Sequence, residues 1–496
     1  MANENFKVIV VGGGPVGLAL AHSLAKAGID YVVLERRRGI AEDEGASLVL
    51  APHGMRSIAQ FGILDSLLKI STEMTDMRNS TADGRLLKRF LPHDLFTKAH
   101  GIGSHIFHRA HLVRALYDGL SKKHQSWVLT NKKVADIVAD DFGVTVSCAD
   151  GTKYEGSIVI GADGVHSRTR ERMRSLAIKA SPTIDIDEEK PFTCHYKTLW
   201  CSFPMPDEEK GFPGLAWNAH AKDHSIQYLV GAERAWIFIY EKLPDAPVRM
   251  GTRYTEHDAI EFADKWGHMP VGDGLTVKDV FAQRYTVGMA ILEEGVLKRW
   301  SWGRIVLTGD AAHKFTPNQG LGYNNGLQDA VALTNELYRA IHTPSQQYGD
   351  EKNKNGPSLE TLSTAFERYQ NSRIDDVIED WNLSITETRM SAWYNPLYWA
   401  FDCLVSPYLP RFVNALMLRY LISERARRGH VLDFLDDKEP FPAGTIPWDH
   451  PIPGRAGLAT PEKVRRSSAS SFLGIFSVLF LSMTASLMIS GRYRLT

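Results

Sequence analysis

The sequence has little of what marks a disulfide-bonded, metal-binding or nucleic-acid-binding protein. Its four cysteines, Cys148, Cys194, Cys201 and Cys403, are scattered through 496 residues and form no CxxC pair. That usage points to reduced thiols in a cytosolic compartment, and away from a disulfide framework or a thiol redox pair. Neither sign of charge is in excess, with 57 Lys and Arg against 58 Asp and Glu. No basic run is interleaved with aromatics, so no nucleic-acid partner is expected. No second ligand stands at metal spacing from His313, so no metal is expected either, and His313 reads as a loop-ordering residue. An export signal is also missing, because the apolar run 8–11 stops at once in Gly12-Gly13-Gly14. No internal repeat or long low-complexity tract is found, and no protein partner is evident. What remains is an ordinary globular composition, 44% hydrophobic and 23% charged, long enough for two to four structural units.

The N-terminal 35 residues carry the first positive signal. A short β-branched run over 6–11 ends in glycines, helical spacing follows over 16–27, and Gly28 precedes a second apolar run, 31–34, that ends at Glu35. This is a strand–helix–strand unit of the size of a βαβ crossover. Gly12, Gly14 and Gly17 form GxGxxG at the strand-to-helix turn. Gly12 permits the tight turn, Gly14 lets a pyrophosphate approach the backbone, and Gly17 lets helix and strand pack closely. The helix start offers free N–H groups to the phosphates, and Glu35 is placed to accept hydrogen bonds from an adenosine ribose. The motif alone does not separate FAD from NAD.

Two further segments read as contact surfaces for the same dinucleotide. A strand at 158–161 ends in Asp163-Gly164, with Ser167, Arg168 and Arg170 after it. The run 304–330, RIVLTGDAAHKFTPNQGLGYNNGLQDA, is a strand that ends at Gly309-Asp310, then a glycine-containing loop, then a helix expected near Asn325. Asp310 can bind a polyol hydroxyl, and Gly320 and Gly322 permit backbone contact with a flat ring. Helix N-terminal N–H groups there can stabilise negative charge on a reduced flavin. No second GxGxxG follows a strand, which disfavours an enzyme with two resident dinucleotides.

The expected fold class is α/β. Residues 1–180 form the first part of a Rossmann-like FAD-binding domain. Residues 181–285 form an inserted, mainly β, substrate-facing sheet, and 286–345 return to the FAD domain. Helices are expected at 54–70 and 111–123, with a hairpin between 134–138 and 144–146. Residues 346–439 read as helical, and 393–421, rich in aromatics, as a possible membrane-surface patch. A Pro/Gly-rich linker, 440–471, leads to FLGIFSVLFLSMTASLMI at 472–489, with Lys463, Arg465 and Arg466 before it and Arg492 and Arg494 after it. Uncharged and about long enough to cross a bilayer, this segment is expected to form a single C-terminal transmembrane anchor at 472–490. The catalytic domain would then lie on the cytosolic side of a membrane.

With these motifs in place, residues 5–385 resemble the class A flavoprotein monooxygenases of the p-hydroxybenzoate hydroxylase type. The resemblance rests on Gly12-x-Gly14-x-x-Gly17, on Asp163-Gly164-x-x-Ser167-x-x-Arg170, and on Gly309-Asp310-Ala311-Ala312-His313 with Pro317, Gly320 and Gly322. Gly45-Ala46-Ser47 with Pro52-x-Gly54, and His313-Lys314-x-Thr316-Pro317-Asn318, look more narrowly like the fungal paxilline-type FAD-dependent monooxygenases. The resemblance implies FAD contacts at Glu35, Arg109 and Asp310, and main-chain contacts at Val49 and Gly322-Tyr323. Val49, Leu321 and Tyr323 depart from the usual glycine, glutamine and small residue, which alters the pocket beside the ring. The implied reaction has NAD(P)H reduce FAD, O2 add at the flavin C4a, and the hydroperoxide pass one oxygen to a lipophilic substrate. Epoxidation of a prenyl alkene in meroterpenoid or indole-diterpene assembly is the leading expectation. Hydroxylation of a phenol is the alternative, with Tyr228, on the 226–230 strand, as the group that would take up the phenol proton. A non-catalytic flavin-binding membrane protein is a third.

Overall fold

The computed structural model describes residues 6–244, 247, 253–342 and 356–453. The anchor expected at 472–490 lies outside these residues, and no helix among those described is long and apolar enough to cross a membrane. Residues up to Pro453 make one compact unit of mixed α/β structure.

Its first layer is a six-stranded sheet in the order Ser301–Trp302, Ile305–Leu307, Ile158–Gly161, Lys7–Val11, Asp30–Leu34, Val128–Leu129. All neighbours are parallel except the outermost pair, 301–302 with 305–307. Val8, Ile9 and Val10 are fully buried, as expected for a central strand covered on both faces. The helix Pro15–Lys26 packs against the long helix Leu321–His342, and both place their N-termini at the carboxyl end of this sheet. The expected hairpin is present as Val134–Ala139 paired with Val144–Cys148. The helical stretch expected at 54–70 divides into Pro52–Phe61 and Leu64–Leu68, because Gly62 stops the first helix in a left-handed conformation.

The second layer is an eight-stranded sheet. Its strands run His313–Lys314, Thr286–Val296, Thr193–Pro204, Arg234–Lys242, His224–Val230, Leu215–Ala221, Asp76–Thr81, Leu86–Phe90. Four of them lie outside 181–285, so the sheet is stitched into the dinucleotide layer from both sides. One face packs with Phe262 and Phe281 of the helices Glu256–Lys265 and Val277–Ala282. The other face, with Leu229, Trp236 and Phe238, turns towards the dinucleotide layer. The Pro-rich segment after 440 begins as a strap: Thr445 and Ile446 donate to the carbonyls of Lys98 and Ala99, and Ile446 and Ile452 are buried.

Within the first layer, His22 of the helix Pro15–Lys26 makes the fold acid-sensitive. Its ring stacks on Phe61 at 5.1 Å, and Nε2–H donates to the Leu116 carbonyl at 2.7 Å. Burial pushes the imidazole down to about 4 from 6.5. The folded protein therefore keeps His22 neutral where the unfolded chain takes up a proton. Its contribution is intact above pH 6.5 and is lost as pH falls towards 4, about 3 kcal/mol in all. His22→Gln, which can still donate to Leu116, should flatten the fall of the urea midpoint between pH 7 and 4.5. Parallel pH profiles for the two proteins would refute the assignment.

Candidate functional site

A single cavity of about 1090 Å³ runs from the glycine turn to the inner face of the eight-stranded sheet. At its first end Gly12 adopts φ +106°, and a Cβ there would lie 2.4 Å from the Ala162 carbonyl oxygen. A Cβ on Gly17 would come within 1.9 Å of the Gly12 carbonyl oxygen, so helix and turn touch through bare backbone. Gly14 differs, because a Cβ on it would meet nothing within 4 Å. It occupies the N-cap position of the helix Pro15–Lys26, which no side chain caps. Uncapped N–H groups facing a cavity fit an anion such as a pyrophosphate. Glu35, at the end of the next strand, lines the same end, its carboxylate oriented by the amides of Gly13 at 2.7 Å and Arg37 at 2.8 Å.

The second surface works mainly as a clamp. Asp163 lines the cavity, but its carboxylate is turned inwards, accepting from Ser167 Oγ at 2.6 Å and from Thr169 N and Oγ1 at 3.0 Å. Burial pushes that carboxyl up, and these donors oppose the shift. Arg170 then donates to the carbonyls of Val165 at 2.6 Å and Ala311 at 3.0 Å, tying the second motif to the third.

The third surface is the turn Gly309–Ala311 and the start of the helix Leu321–His342, four residues earlier than the expected start at Asn325. Asp310 lines the cavity, with Oδ2 held by Lys314 Nζ at 2.5 Å. Gly322 lies beside it, and Tyr323 is buried. Val49 lies across from Gly320, and its carbonyl accepts from Asn324 Nδ2 at 2.8 Å. Asn324 also accepts from Ala51 N, so it joins the 47–51 strand to the third surface. Asn324 carries no motif of its own in the sequence, although an asparagine in the first turn of a helix signals side-chain bonding to backbone. Arg109 sits at the rim, where Glu44 bridges it at 2.6 Å and Arg37 at 2.5 Å. His313 is fully buried against Asp329 at 2.6 Å. No group of side chains among the described residues could hold a metal ion.

Tyr228 does not reach this cavity. Successive strand residues point to opposite faces, and it is Gln227 and Leu229 that line the site. Tyr228 is buried on the far face, stacked on Phe203 at 6.2 Å, and its hydroxyl has no hydrogen-bond partner among the described residues. It is therefore withdrawn as a proton acceptor. The wall that the sheet does supply is apolar: Met77, Phe90, Leu229 and Phe238, with Met74 and Phe96 beside them. Gln227 is its polar member, donating to the Asn318 carbonyl at 3.0 Å.

The cavity thus joins an uncapped helix start, the Glu35 carboxylate, and the backbone of Gly320–Tyr323, a donor set that fits FAD. Comparison with known proteins agrees. Residues 5–235 and 277–351 match the family model described as FAD binding domain. The chain is 31% identical to FAD-dependent monooxygenase penE of Penicillium thymicola, over 97% of this chain and 98% of that one. It is 35% identical to FAD-dependent monooxygenase esdpE of Penicillium shearii, over 80% of each. It is 33% identical to FAD-dependent monooxygenase srdH of Neurospora crassa, over 89% of this chain and 98% of that one. Among solved structures, Klebsiella pneumoniae HpxO complexed with FAD and uric acid shares the fold. There the TM-score is 0.65 at 20% identity, over 84% of this chain and 97% of that one. The p-nitrophenol 4-monooxygenase PnpA of Pseudomonas putida superposes with a TM-score of 0.66 at 20% identity, over 85% and 98%. The chain belongs to the FAD-binding family that these proteins represent, and it is an FAD-dependent monooxygenase.

Proposed function

We propose that this monooxygenase epoxidises a prenyl alkene on a lipophilic intermediate of secondary metabolism, using NAD(P)H and O2. The observation that carries the reading is the substrate wall. Its strands present Met77, Phe90, Gln227, Leu229 and Phe238 to the cavity, and none of these side chains exchanges a proton with a phenol. Hydroxylation of a phenol gains from such a group, whereas oxygen transfer to an alkene needs none. Bound FAD supplies the oxygen-activating chemistry: alkene, O2, NAD(P)H and a proton give epoxide, water and NAD(P)+.

The chain's own contribution is placement and exclusion. The apolar wall sheds water from the face where the alkene lies. The Gln227 amide, fixed between the Asn318 carbonyl and the Tyr240 hydroxyl, gives one polar contact with which to orient a substrate oxygen. Arg170 fixes the turn that carries Asp310 through the Ala311 carbonyl, and Asn324 fixes the end of the following loop through the carbonyls of Val49 and Gly320.

Product mass analysis tests the proposal. Holoenzyme with NADPH should add one oxygen to prenylated aromatic substrates, and mild acid should open the product to a diol. Oxygen gained only on the ring of simple phenols would replace this reading with aromatic hydroxylation.

A further inference from the structure

We infer that the surface formed by residues 397–416 docks on a lipid bilayer and receives the lipophilic substrate from it. After the helix Leu359–Ser391 the chain continues through short, broken helical turns, and these expose large apolar side chains. Leu397, Trp399, Leu404, Tyr408, Phe412 and Leu416 are exposed, Tyr408 and Phe412 by 77% and 75%. Phe412 and Leu416 fall one turn apart on the helix Arg411–Leu418. Isolated exposed apolar residues are ordinary, whereas six within 20 residues concentrate apolar surface in one region of the chain, as interaction surfaces do.

The run also borders the apolar end of the cavity. The turn Ser406–Tyr408 packs on the strand Leu86–Phe90, and the turn Arg419–Ser423 packs on the helix Pro92–His100. Phe90, Phe96 and Ile422, from these same elements, line the cavity. Leu86 and Leu91, beside them, are exposed as well. The occupant of this surface therefore stands where substrate enters.

Three occupants compete, and the bilayer fits best. A second copy of the chain seated there would cover the entry. The chain's own run at 472–489, uncharged though broken by Ser477, Ser482, Thr484 and Ser486, is expected to seek lipid itself and so is a poor candidate to cover the patch. A bilayer suits the composition of the patch, because Trp and Tyr rings favour its polar boundary and Phe and Leu side chains its acyl region.

The test uses the full chain with Phe412→Cys, labelled with an environment-sensitive NBD fluorophore; the four native cysteines are buried. Vesicles of phosphatidylcholine and phosphatidylserine carry bromine on their acyl chains. The label should shift to the blue and be quenched by the bromine. The same label at Phe142→Cys, in the turn between the strands Val134–Ala139 and Val144–Cys148, should do neither. Protein that sediments with vesicles while its 412 label keeps its aqueous emission would overturn the inference, and so would protein that does not bind them. A label already blue-shifted in buffer would show that the tail or a second copy covers the patch. The inference leans on the lipophilic-substrate reading only for what is delivered. Since the fluorescence needs no substrate, either can fail without the other.

Discussion

Asp310→Ala is expected to purify largely without flavin, with FAD affinity lowered roughly tenfold to a hundredfold, as for loss of a hydrogen bond to a charged group of about 1.5–3 kcal/mol. The reason lies in how the carboxylate is presented. It sits on the turn Gly309–Ala311 directly after the strand Ile305–Leu307, at the carboxyl end of the parallel sheet where ligands of such folds bind. Lys314 holds Oδ2, which leaves Oδ1 turned towards Gly322 at the start of the next helix. A polyol chain passing between turn and helix meets that oxygen, and alanine offers it nothing. Asp310→Asn keeps an acceptor and should fall between the two. Lys314→Met should cost less, since it removes only what orients the carboxylate. The flavin absorbance of the purified protein and a fluorescence titration with FAD read the result. Alanine protein that stays yellow and turns over normally would remove Asp310 from the cofactor's contacts.

How much of this site could be read beforehand depended on whether its parts are local. The turn at Gly12–Gly17 and the carboxylate at Glu35 belong to one continuous 30-residue unit whose spacing encodes its geometry, and the structure builds it as read. Tyr228 cannot be assigned to a face from its strand alone, because HSIQYLV is buried on both faces. Alternation then carries no label for inside and outside. Gln227, a long polar side chain in the middle of that buried strand, is the better pointer to the cavity. The clamp from Arg170 to Ala311 spans 141 positions, and the sheet partners Leu215–Ala221 and Asp76–Thr81 are nearly as distant. Such pairings depend on the assembled layers and leave no local pattern.

A shorter separation, 16 to 44 positions, still hides the interaction on which the third surface rests, and breaking it should give the largest loss of stability. Asp329, fully buried on the helix Leu321–His342, accepts from His313 Nε2 at 2.6 Å and from the Gly309 amide at 2.9 Å through Oδ2. Its Oδ1 accepts from Arg373 Nε at 3.1 Å, and Arg373 also donates to Asn325 Oδ1 at 2.7 Å. Burial alone would push this carboxyl up, but His313, Arg373 and the Gly309 amide outweigh it and hold it below the usual range. Asp329→Ala strips the Arg373 guanidinium, itself 3% exposed, of its nearer counter-charge and leaves it only the longer ion pair to Asp376 at 3.8 Å. Removing one partner of such a pair costs about 3–5 kcal/mol. It also frees the amide that sets the turn before Asp310, so FAD affinity should fall along with urea resistance. Adding Arg373→Met removes the stranded charge, and the double variant should be less destabilised than the two single losses summed. Additive losses would mean that the two side chains act separately. An unchanged FAD affinity in Asp329→Ala would mean that the Gly309 turn holds its shape without them.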